Sequence, residues 1–407
     1  MTSVPEQASK ASNLKSVCTI VMTSVGLGIL ELPASVAKVG SINFAVLMVI
    51  IGFASWWGIR LVASCILLED KAMIDSYPGV GKSAYGNRGH IVVGTCMHVT
   101  LVGICACLLV LLGKTMEPLL PLPGDLAPWS RVFWVVVGTA VAQPFVWIKS
   151  MNKLGIVSAT GVAAVFILAG LIVVGSVREI KNRSERPSMR TAYFGISEVG
   201  FAIVMLSFSF GSIPVIPTLL QSMKYPIDIG KVSGVSYVII GFITGLVAYS
   251  GFFAWGDSMT QVDDILDMLA PVIPKSPSSN SSTQERRLDW LGLSCLLVAL
   301  VVVLTHVVVL IRPVADAAEF AGASLTGSTG ARIYRSLPSL LMLLIGSVSV
   351  MLLTLVIPPF LYARIITVKQ GRVPNSWLFW TATSFLVGLS SFASFVGVRT
   401  AVAQLFV

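Results

Sequence analysis

The sequence predicts an all-α polytopic protein that crosses a lipid bilayer about ten times. Three observations carry this. Of 407 residues, 55% are hydrophobic and only 12% charged, against roughly 25% charged in soluble domains. Apolar runs recur along the whole chain, many near the ~20 residues a helix needs to cross a ~30 Å hydrocarbon core. These runs, 291–310 for example, are continuous and not alternating. That excludes barrel strands and leaves helices, which satisfy their own backbone in lipid.

In order, the runs are 15–38, 42–68, 91–113, 132–147, 154–177, 199–223, 232–255, 290–311, 337–361 and 377–396. Residues 1–14 read as a cytosolic tail and 397–407 as a second tail. Residues 15–396 read as one transmembrane domain, with a first half 15–177, a second half 194–362 and a last span 377–396. The net charge of +9 lies at the ends of apolar runs, where cytoplasmic anchors sit. The expected partner is therefore the bilayer and not nucleic acid. The six cysteines lie in or beside apolar runs and form no C-x-x-C pair. They read as small buried residues, not as a disulfide framework or zinc site.

With a cytosolic N-terminus, Lys71, Lys82 and Arg88 in the loop 69–90 fall inside. So do Lys149, Lys153, Lys224, Lys231, Arg312, Arg332 and Arg335. Two segments disagree. The outer segment 177–193 carries Arg178, Lys181, Arg183, Arg186 and Arg190, and the run 337–361 is basic at both ends. One crossing cannot place both ends in the cytosol. Asn-X-Ser sequons at Asn182 and Asn280 fall in loops placed outside. The serine-rich stretch 276–282 reads as an extramembrane excursion, and Asp263, Asp264 and Asp267 as a solvated face.

Two spans are interrupted. The first reads Gly26-Leu27-Gly28-Ile29-Leu30-Glu31-Leu32-Pro33, and the sixth Phe208-Ser209-Phe210-Gly211-Ser212-Ile213-Pro214-Val215-Ile216-Pro217. Glycine weakens a helix through backbone entropy; proline removes a donor and clashes with the preceding turn. A break at bilayer depth is tolerated where it lines a cavity, and transporters hold substrate and ions at such breaks. Small residues at close helix contacts are the competing explanation. Interruptions in spans one and six are where two inverted five-helix halves would each place their broken first helix.

These stretches resemble the amino acid/auxin permease family of the amino acid–polyamine–cation superfamily. Residues 25–33 look like its span-one motif. Residues 76–86, Ser-Tyr-Pro-Gly-Val-Gly-Lys-Ser-Ala-Tyr-Gly, look like its loop before span three. Residues 208–226 match its span-six pattern, and Gly251-Phe252-Phe253-Ala254-Trp255-Gly256-Asp257 looks like the close of its span seven. The four occur in the family's order over about 15–320. The resemblance implies a leucine-transporter-type five-plus-five inverted repeat. It also implies ion- or proton-coupled transport of amino acids or related small amines by alternating access, in a plasma or vacuolar/lysosomal membrane. Carried over, the backbone of Gly26, Gly28 and Ile29 would receive the substrate carboxylate. The backbone of Phe208, Ser209, Phe210 and Gly211 would face its amine or side chain. No cofactor is expected, and the coupling ion is H+ or Na+.

The chain departs from the family at three places. Glu31 replaces a small residue. An intramembrane carboxylate is a candidate to take the coupling proton or bind a cationic amine; the alternative is a carboxylate favouring a helix N-terminus. Ile213 stands where many members have histidine. The stretch 346–365 looks like the family's tenth span yet follows almost directly on 333–343, so about one helix is missing. In span eight, Thr305 is a candidate sodium ligand, against a threonine bonding its own backbone. His306 and His98 are candidate proton acceptors, against packing residues. The alternative to a transporter is a transport-dead relative acting as a nutrient sensor or scaffold, or a shortened non-functional isoform. No metalloprotease or nucleophile-elbow motif points to an enzyme.

Overall fold

A computed structural model of the protein describes residues 12–68, 74, 76–122, 129–146, 151–183, 187–262, 264–270, 289–321, 350–371, 373–374 and 376–405. The first span is α1 (Asn13–Ser24), a 3-10 turn (Leu27–Glu31) and α2 (Leu32–Val39). Next come α3 (Ser41–Leu68), α4 (Tyr77–Leu119), α5 (Ser130–Val146) and α6 (Met151–Asn182). The sixth span is α7 (Ile196–Ser209), a 3-10 turn (Ile213–Val215) and α8 (Ile216–Ser222). Then follow α9 (Ile229–Trp255), a 3-10 turn (Gly256–Gln261), α10 (Leu266–Leu269) and α11 (Trp290–Ala321). A π turn (Leu352–Val356), α12 (Ile357–Gln370) and α13 (Trp377–Leu405) close the described chain.

Among the described residues, eight helices are each long and apolar enough to cross a membrane. The bent first span makes a ninth. The remaining expected crossing is α5, 17 residues long. The outer surface is apolar in the pattern lipid requires. Ile42, Val46, Val49 and Phe53 are exposed on one face of α3, and Val235, Val238, Phe242 and Leu246 on one face of α9. Trp129, Trp290 and Trp377 are exposed where helices begin, as interfacial aromatic residues are. The interior is built by α1 and α2 against α9, α2 against α7, α1 against α6, and α11 against α4 and α6.

Several boundaries differ from the sequence reading. The loop 69–90 is helical from Tyr77 onward. Ser76 Oγ accepts the Gly79 N–H at 3.3 Å and Pro78 occupies the first turn, a capped start. The helix then kinks at Tyr85 and Gly86, where φ is +64°, a conformation glycine adopts freely. Helix α6 continues to Asn182, so that sequon begins on a helix end, and α13 continues past 396 to Leu405. Asn280, the stretch 276–282 and the missing-helix region before residue 350 lie outside the described residues.

The acidic loop is not a solvated face. Asp264 is 4% exposed. Its carboxylate accepts Lys114 Nζ at 2.7 Å and the Leu266 N–H at 2.8 Å; Asp267 accepts the same Nζ at 2.9 Å. Sequence spacing hides this because Lys114 comes from the far end of α4. Asp263 lies outside the described residues. The pairing seats α10 against the first span, where the Ile265 N–H donates to the Leu30 carbonyl at 3.0 Å. Removing one partner of a buried pair leaves an uncompensated charge. Lys114→Met is expected to lower stability by about 3 kcal/mol, and Lys114→Met with Asp264→Leu to recover most of that. Denaturation of the detergent-solubilised protein measures both.

Candidate functional site

The two breaks face each other. In span one the Val25 N–H still bonds the Val21 carbonyl at 2.7 Å, and the Gly26 N–H turns to Ser24 at 2.9 Å. The first bond of the next turn, from the Ile29 N–H to the Gly26 carbonyl, is long at 3.4 Å. The N–H groups of Leu27 and Gly28 precede that bond, so the 3-10 turn gives them no acceptor. The two halves of the span meet at 52°. A Cβ on Gly28 would stand 3.5 Å from Ser209 Oγ in span six, and one on Gly26 would stand 3.5 Å from His306 Nε2 in α11. Glycine at these positions keeps both approaches open.

Span six is held in its broken form by α9. The last regular bond of α7 runs from the Phe210 N–H to Leu206 at 3.0 Å. Pro214 and Pro217, early in the following turn and in α8, have no N–H to give. The Phe210 carbonyl accepts the Tyr237 hydroxyl at 2.6 Å and the Ser212 N–H at 3.2 Å. The Phe210 and Tyr237 rings stack with centroids 5.9 Å apart.

A third irregular segment joins them. The Ile357 N–H reaches back to the Leu352 carbonyl, five residues away. Pro358 and Pro359 have no N–H. The carbonyls of Leu353 and Thr354 therefore lose their helical donors. Tyr77 Oη donates to Leu353 at 3.1 Å, and Gly58 packs on Thr354 so closely that a Cβ would stand 2.9 Å from its carbonyl. The sequence reading missed this segment as part of the site. The Pro-Pro pair is the signal that marks it.

Between the three segments lies a cavity of about 70 Å³, room for roughly five waters. Gly26, Gly28, Phe208, Ser209, Gly211 and His306 line it, with Ser24, Thr100, Cys107 and Thr354 as further polar or thiol groups. The rest of the lining is apolar, chiefly Leu101, Ile104, Leu108 and Leu111 of α4 and Leu353. Ile29 and Phe210 are buried beside the cavity and do not line it.

The remaining candidates fall elsewhere. Glu31 is 7% exposed, makes no cap hydrogen bond to α2 and interacts electrostatically with Cys107. Thr305 donates to its own helix, to Val301 at 2.8 Å and Val302 at 3.0 Å. His98 is half-buried and away from the cavity. Among the described residues no group of three or more His, Cys, Asp or Glu is placed to hold a metal ion.

The sequence pattern of a family described as transmembrane amino acid transporter protein matches residues 9–273. Amino acid transporter AVT1J of Arabidopsis thaliana is 26% identical over 239 residues, 58% of this chain and 55% of that protein. Vacuolar amino acid transporter 5 of Schizosaccharomyces pombe is 27% identical over 211 residues, 49% of each. The chain spans about half the length of the curated relatives it matches. Among solved structures, MhsT in complex with L-phenylalanine superposes with a TM-score of 0.53 at 15% identity, covering 97% of this chain and 100% of that one. This likeness places the chain in the leucine-transporter-type fold.

Tyr237→Phe keeps the ring stack and deletes the donor to the Phe210 carbonyl. The expected loss is about 1 kcal/mol, the net worth of one hydrogen bond, because the Phe210 carbonyl keeps the Ser212 N–H as a donor. It is read as a lower unfolding midpoint.

Proposed function

Since the chain belongs to the transmembrane amino acid transporter family, we propose that it is a secondary transporter of small neutral amino acids with apolar side chains. The observation that carries this is the meeting of two oppositely polarised helix breaks at one cavity. The second half of span one begins there, and its leading N–H groups, on Leu27 and Gly28, form a positive dipole end suited to a carboxylate. Helix α7 ends there, and its last carbonyls form a negative end suited to an ammonium. The two charges of a zwitterion match the two ends.

The apolar α4 wall faces the third substituent. A charged side chain there would lose its hydration without a partner, so cationic and anionic amino acids are disfavoured. Alternating access moves the interrupted spans against the rest, around a site near the midplane. The Lys114 pairing and the Ile265–Leu30 bond tie the segment before α10 to span one beside its break, so a motion that parts the two must break that bond. The membrane is a plasma or vacuolar/lysosomal one, and gradient-driven flux is the coupled form of the activity.

Uptake of labelled neutral, cationic and anionic amino acids into proteoliposomes tests this. Neutral apolar substrates are expected to be taken up under an imposed ion gradient, and charged ones not. Gly28→Val, which fills the gap toward Ser209, is expected to lower uptake at least tenfold while the protein still elutes as a folded species. No flux of any amino acid from folded wild type would leave a binding or sensing role in place of transport.

A further inference from the structure

The His306 ring has one nitrogen committed and one open. Nδ1 lies 3.1 Å from the Val302 carbonyl, one turn back. A carbonyl only accepts, so Nδ1 carries the hydrogen and Nε2 a lone pair. The Met22 carbonyl is close to the ring, yet among the described residues no atom meets Nε2 in hydrogen-bonding geometry. The residue is 3% exposed and lines the cavity. Ser24 Oγ is a second buried atom without a partner on the same cavity, and Ser24 is also 3% exposed. Two buried polar groups left open at one site mark a place where something else binds.

We propose that His306 Nε2 is the proton-binding site of the transporter, and that the proton it takes neutralises the substrate carboxylate held at the break of span one. This rests on the transporter reading above. An imidazolium alone in an apolar cavity loses its hydration with no return, and so does a carboxylate alone. Side by side, each compensates the other. Proton and substrate therefore bind with positive cooperativity, and each raises the affinity of the other by the same factor. The proton moves from bulk water to Nε2 while the Nδ1 hydrogen stays on Val302. A zwitterion then crosses with one added positive charge, so transport is electrogenic and the ion moves with the substrate.

Among the described side chains, the other ionisable groups near the cavity are few. α4 presents Cys107 to the cavity, and Glu31 of the 3-10 turn lies beside Cys107. Toward the ends of α4, α5, α6 and α10, Lys114 pairs with Asp264 and Asp267, Arg131 with Glu117, Arg178 with Asp289, and Arg183 with Glu179. Protonation of Glu31 would also favour a carboxylate, by removing repulsion, so the two groups must be separated by experiment.

The test is binding, which needs no turnover. Calorimetry on the purified full chain in nanodiscs, with L-alanine, L-leucine and L-phenylalanine from about pH 5 to 8, gives affinity. Buffers of different ionisation enthalpy give the protons taken up. Wild type is expected to bind more tightly as pH falls, approaching about tenfold per unit on the alkaline side, with up to one proton taken up per substrate. His306→Gln, which keeps a polar group of similar reach, is expected to flatten the dependence to under about twofold across the range. A slope unchanged in His306→Gln, or one abolished by Glu31→Gln or Cys107→Ala, would overturn the assignment. So would wild-type binding that is flat or that weakens as pH falls; either leaves the transporter reading standing. The wild-type proton count decides even where a variant fails to fold. Absence of binding by folded wild type removes both readings.

Discussion

In hydrocarbon a peptide group has no water to fall back on, and that constraint organises this structure. Each break in a span releases N–H groups and carbonyls that must find partners within the protein or line a polar cavity. The span-six break is closed on one side by Tyr237, which donates to Phe210. The π turn is closed by Tyr77, which donates to Leu353. Gly28 and the unpartnered side-chain atoms of Ser24 and His306 meet at one cavity.

The same logic explains where polar side chains are spent inside an apolar protein. Thr19, Thr23, Thr100, Thr115, Ser236 and Thr305 return their hydroxyls to carbonyls one turn back, which lets them sit in lipid-depth helices at little cost. The Lys114 cluster is different. It joins the end of α4 to α10, which in turn bonds the second half of span one. A loop at the edge of the bundle is thereby tied to the site.

Much of this was legible in the chain. Hydropathy marked the crossings, because a lipid-facing helix has few ways to be anything but apolar. Gly26, Gly28, Gly211 and the nearby prolines marked both breaks, since those residues carry their backbone effect wherever they stand. Ser76 followed by Pro78 was a cap signature, hidden within a segment read as a loop from its charges. The role of Pro358-Pro359 was readable in the same way but depended on knowing that Tyr77 and Gly58 would meet the carbonyls they strand.

What the sequence by itself determined is the class of fold and the positions of the breaks, because helix length, helix interruption and lipid exposure are local properties of residue type. Tertiary structure alone decided which open groups share a cavity. Asp264 was indistinguishable from a surface carboxylate until Lys114 arrived from 150 residues away. His306 and Thr305 are neighbours of similar polarity. One hydroxyl folds back on its own helix while the imidazole is left with a bare nitrogen facing Gly26. That difference follows from the direction each side chain takes from its helix into a particular neighbour, which composition and spacing do not encode.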